Sequence, residues 1–99
     1  MKIYFSDSAL NDFEDIKDYY TEKEVSHIGE QFVSSIVEHV ETLLDNPDIG
    51  RMVPEFEEPK IRELIHLPFR VVYLREIKSI HVVRVWRSER ILVRPDEKM

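Results

Sequence analysis

The chain has 99 residues, 42% hydrophobic and 34% charged, with no cysteine and a formal net charge of −6. That length and balance suit one globular domain spanning 1–99 and exclude a disulfide framework, thiolate chemistry and a bilayer-spanning helix. The start MKIYFSDS lacks the pattern of a signal peptide, so the cytoplasm is the expected compartment.

Lys2 to Phe5 alternates and is aromatic-rich, as a short strand requires. Ser6, Asp7 and Ser8 then offer side chains able to cap a helix N-terminus. From Ser8 the apolar positions Leu10, Phe13, Ile16 and Tyr19 or Tyr20 recur at helical spacing, and the acidic run Asp12, Glu14, Asp15, Asp18 reads as a solvated face. A second helix carries Val25, Ile28, Phe32, Ile36, Val40, Leu43 and Leu44 in one stripe. Asn46-Pro47 stops it, because proline disfavours helix in the residue before it. Each helix shows a single apolar stripe, so the pair needs a sheet or a partner to cover it.

After Pro47 the period changes. Asp48 to Pro59 is proline-rich and reads as a loop. Ile61 to Leu67, Phe69 to Arg75 and Ile80 to Trp86 read as three strands, the last two joined through Glu76 to Ser79 at hairpin length. Arg87 to Arg94 either extends the last strand or begins a tail. The expected architecture is α+β: an N-terminal strand, a helical hairpin, then three antiparallel strands, with the helices on one face of the sheet. The opposite face is left for a ligand or partner.

Charge divides along the same boundary. Met1 to Pro59 holds four basic residues against fifteen acidic ones, whereas Lys60 to Arg94 holds nine against three. Such asymmetry points to an interaction surface, or to an acidic helical layer neutralising a basic sheet.

The sequence GRMVPEF at Gly50 to Phe56, then Ile61-Arg62-Glu63-Leu64, Phe69-Arg70-Val71-Val72-Tyr73 and Val85-Trp86, follows the N-terminal strand, Ser8-Ala9 and Asn46-Pro47 in order. In this arrangement the chain resembles the RelE/ParE superfamily of toxins from type II toxin–antitoxin modules over nearly its whole length. The long hairpin and the NPxxGRxVPEF connection are similar to the ParE branch, the plasmid stabilization proteins, whose members are associated with poisoning DNA gyrase. The RelE branch cleaves mRNA on the ribosome and often carries a tyrosine or histidine near the C-terminus. Here Arg87 follows Val85-Trp86, and His81 is the only such residue after Tyr73. The resemblance implies a toxin that binds a macromolecular target and is neutralised by a cognate antitoxin, as a homodimer or a toxin–antitoxin hetero-oligomer, with no cofactor. A ribosome-dependent mRNA endonuclease and a non-toxic interaction module on the same fold are the alternatives.

Metal-independent RNA cleavage needs a base for the 2′-hydroxyl, cations for the phosphorane and an acid for the leaving oxygen. Arg62, Arg70 and Arg87 are the candidates if the chain is a ribonuclease, but arginine stays protonated and makes a poor base. His66 is the one titratable group in the Arg62 to Arg70 stretch; the plainer reading leaves it exposed at a strand end. Arg62 contacts either an anionic partner or an acidic helix. Arg70, inside the most hydrophobic strand, must be paired and serves either the scaffold or a site. Arg84 and Trp86 share a face and Arg87 points the other way. Arg62, Arg84, Trp86, Arg87 and Arg90 are the candidate target- or antitoxin-binding residues. His27, His39, His66 and His81 lack ligand spacing, so no metal site is expected.

Overall fold

The computed structural model describes residues 1–87, in the order β1 (Lys2–Phe5), α1 (Asp7–Glu22), α2 (Ser26–Glu41), a 3₁₀ turn (Thr42–Leu44), β2 (Arg51–Met52), β3 (Ile61–His66), β4 (Phe69–Arg75) and β5 (Ser79–Arg87). The Arg87 to Arg94 tail and Arg90 fall beyond β5, outside the described residues apart from Arg87 itself.

Ser6 starts α1 as its N-cap. Its Oγ accepts the Ala9 N–H at 3.0 Å and donates to the Val83 carbonyl at 2.9 Å, so one side chain both caps the helix and ties it to β5. The break between helices falls at residues 23–25, where Glu24 takes a left-handed φ of 61°. Gly29 then lets α2 come close to α1, since a Cβ there would sit 3.1 Å from the Lys17 Cα.

The sheet has five strands in the order β1-β5-β4-β3-β2. One feature corrects the sequence expectation, and a second adds to it. The stretch read as a loop from Asp48 to Pro59 contains β2, which pairs antiparallel to β3 through Arg51↔Glu63 and Met52↔Arg62. The sheet is also mixed, because β1 lies parallel to β5, with Ile3 opposite Ile80. The helical hairpin carries the chain from β1 at one edge of the sheet to β2 at the other, and β3 and β4 bring it back to β5 beside β1.

The helices cover one face. Ala9, Phe13 and Ile16 of α1 and Ile36 and Val40 of α2 pack with Leu64, Phe69, Val71, Tyr73, Ile80, Val82 and Val85 into the core. Burying such a side chain contributes about 1.5–3 kcal/mol, so this layer is the main source of stability. A bulge shifts the β4–β5 register from Val72↔Arg84 to Tyr73↔Val82, which allows Val82 and Val85, three apart, both to face the helices. Leu10 and Leu44, placed in the stripes by spacing, are exposed. Leu10 sits at the margin of a stripe centred on Ala9, Phe13 and Ile16, and Leu44 lies in the 3₁₀ turn, where the helical phase has changed.

Candidate functional site

Asp12 organises the end of the molecule where α1 meets β5. It is only 7% exposed, contrary to the solvated face expected of its acidic run. Its carboxylate accepts from Arg84 Nε at 2.8 Å, Arg84 Nη2 at 3.0 Å and the Val85 N–H at 2.8 Å. β1 pairs with β5 only as far as Val82, so Asp12 occupies an edge position that a further strand would otherwise fill. These hydrogen bonds raise the Arg84 guanidinium above its ordinary pKa. A signal for Asp12 existed in the sequence: it lies three residues after Ala9 and four before Ile16, on the apolar stripe.

Arg84 in turn lies over the Trp86 ring, 5.1 Å from its centroid, as their shared parity requires. Arg87 turns the other way. Its guanidinium stands 5.1 Å from the Tyr19 ring and 5.3 Å from that of Phe69, and Nη1 donates to the Tyr20 hydroxyl at 3.4 Å. Arg84, Trp86 and Arg87 therefore line one groove of about 250 Å³ with Asp15 and Tyr19 of α1. It mixes cations, carboxylates and exposed aromatic surface.

Arg70 lies elsewhere, on the sheet face away from the helices, and is 1% exposed. Its Nη1 and Nη2 donate to Glu55 at 2.9 and 3.2 Å, and it pairs with Glu63, which is equally buried. Arg51 Nε donates to the second Glu63 oxygen at 2.6 Å. Burial works against the Arg70 charge, but the bonds to Glu55 and Glu63 outweigh it and hold the guanidinium above its usual pKa. The same bond from Arg70 holds the Glu55 carboxyl below its own. Arg51, Glu63, Arg70 and Glu55 thus form a chain of alternating charge.

Arg62 meets no acidic helix and stays partly exposed. Its Nη1 donates to the Gly50 carbonyl at 2.9 Å, and its Nε is 3.8 Å from Asp48, which Arg75 also holds at 3.1 Å. Arg62 fastens the segment between the 3₁₀ turn and β2 onto β3. His66 is half-buried, not exposed at a strand end: α2 reaches it with His39 and Ser35. Arg62 thus lines a second, separate pocket with Asp48, Lys60 and Arg75, while Arg70, opposite Trp86 in the β4–β5 register, is buried between its two carboxylates. Among the described residues no group of three or more His, Asp or Glu is placed to hold a metal ion, and no helix is long and apolar enough to cross a membrane.

Residues 3–92 match the profile of a family described as the ParE toxin of the type II toxin–antitoxin system, parDE. Among solved structures the chain is similar to one from the chromosomal ParDE TA system of P. aeruginosa. The two share 27% identity with a TM-score of 0.72, over 88% of this chain and 95% of that one. Comparison with curated proteins finds no match.

Proposed function

The chain belongs to the ParE toxin family of type II toxin–antitoxin systems, and from that membership we propose that it arrests growth in the cytoplasm by binding DNA gyrase and is neutralised by a cognate antitoxin. The observation that carries this reading is the Arg84–Trp86–Arg87 groove. Tryptophan and arginine dominate the energetics of protein interfaces, because each combines a large contact area with a directional polar group. Here Asp12 orients Arg84, and the rings of Tyr19 and Phe69 orient Arg87, so part of the ordering entropy of binding is met before a partner arrives.

RNA cleavage is less well supported by the same geometry. The five donors of Arg70 face two carboxylates, and His66 is bonded to another imidazole. A phosphate at Arg70 would have to displace Glu55. The likeness to a chain of a ParDE TA system makes an antitoxin the first partner to seek, as a toxin–antitoxin hetero-oligomer.

Trp86→Ala and Arg87→Glu should each weaken binding to purified gyrase by about tenfold or more, as loss of an interface anchor does. Binding is read by surface plasmon resonance, and circular dichroism establishes that the variants fold. Folded variants that bind gyrase as tightly as the wild type would remove this groove from the interface.

A further inference from the structure

His39 on α2 and His66 at the end of β3 face each other with their Nδ1 atoms 2.9 Å apart and their ring centroids 5.1 Å apart. One hydrogen bond between two Nδ1 atoms requires a donor and an acceptor, so the pair holds a single proton between them. The other nitrogen of His66, Nε2, stands 3.1 Å from Ser35 Oγ, whose hydroxyl also reaches the Phe32 carbonyl at 3.1 Å. With that hydroxyl proton given to Phe32, His66 donates from Nε2 and accepts at Nδ1, and His39 supplies the shared proton. Both nitrogens of His66 are then committed, so a proton added to His66 itself must break the bond, whereas one taken up at Nε2 of His39 leaves it in place.

We propose that His39 and His66 form a proton-sensitive latch that holds the C-terminal half of α2 to β3 and lets go on acidification. No carboxylate offsets the added charge. From α2, the nearby acids Glu38 and Glu41 are exposed and bond to neither ring. From β3, Glu63 faces the opposite side of the sheet, held by Arg51 and Arg70. β4 brings Phe69 opposite His66, and among the described residues no ion pair joins a carboxylate to either ring. Burial, and then the neighbouring His39, hold the His66 pKa below its ordinary value of 6.5.

The direction of the pH effect follows. A histidine whose pKa is depressed by folding adds stability that is complete above the unfolded value and is lost as pH falls through the folded one. The gap in urea midpoint between wild type and His66→Asn should therefore be widest near pH 7.5 and narrow by about pH 5.5. An NMR titration of the imidazoles gives a reading that does not depend on a variant of His66 folding. In the wild type the His66 midpoint should fall below about 6.5, and in His39→Gln it should rise. A wild-type midpoint at or above that value, or one that His39→Gln leaves unmoved, would overturn the latch, as would a stability gap independent of pH.

Discussion

Arg70→Met should lower the stability of the fold by about 3–5 kcal/mol, the usual loss when one partner of a buried ion pair is removed. Glu63 is 1% exposed, and without Arg70 its carboxylate keeps only Arg51, whose side chain is more than half exposed. The methionine fills much of the volume, so the loss comes from the uncompensated charge more than from a cavity. It follows that Arg70→Met/Glu63→Leu should recover most of the stability, because replacing both members of a buried pair with apolar groups is often neutral. Urea denaturation of the two single variants and the double measures this directly. If Arg70→Met stays within about 1 kcal/mol of wild type, the alternating chain is not what holds β2, β3 and the Glu55 segment together.

Gly50→Ala should be nearly as damaging, by about 3 kcal/mol from overpacking and the disturbed hydrogen bond together. The Gly50 N–H donates to the Tyr73 hydroxyl at 3.1 Å, and that hydroxyl donates to the Pro47 carbonyl at 2.9 Å. Tyr73 is fully buried, and burial raises its pKa, so the phenol keeps the proton that this bond uses. A Cβ at position 50 would lie 2.5 Å from the Tyr73 Oη and 2.7 Å from the Glu63 carbonyl. Backbone and a core ring cannot both give way without opening the segment that Arg62 fastens. For a domain of this size the loss corresponds to a fall of roughly 12–24 °C in Tm. Tyr73→Phe in the alanine background removes one of the clashing atoms and should cost less there than in the wild type. Strictly additive losses in a thermal melt would show that the two residues do not meet as described.

The elements were legible wherever local pattern sufficed. Period and proline placed both helices and the three long strands, and alternation placed Arg84 with Trp86 and Arg87 apart from them. What escaped was set by contacts distant in sequence. A two-residue strand such as Arg51-Met52 has no period of its own, and only its pairing with β3 defines it. The parallel seat of β1 beside β5 joins opposite ends of the chain. Glu55 reaches Arg70 across 15 residues and Asp12 reaches Arg84 across 72, so neither pair leaves a mark in any short window. The acidic-helix reading of Arg62 missed its intramolecular partners, because these are mostly backbone carbonyls, which no side-chain pattern encodes.

Arg84 and Arg87 thus line the groove beside α1, whereas Arg70 is buried between Glu55 and Glu63 and Arg62 holds the Gly50 carbonyl. The central claim is that this toxin acts by binding and not by cutting RNA. It is tested most directly by inducing the chain in cells without antitoxin and examining both nucleic acids: DNA for gyrase-linked breaks, and mRNA by primer extension. Growth arrest with gyrase-linked DNA breaks and intact mRNA is the predicted result, and it should persist in a folded Arg70→Met/Glu63→Leu double variant. Codon-linked mRNA cuts with intact DNA, abolished by the loss of Arg70 in that folded variant, would contradict it.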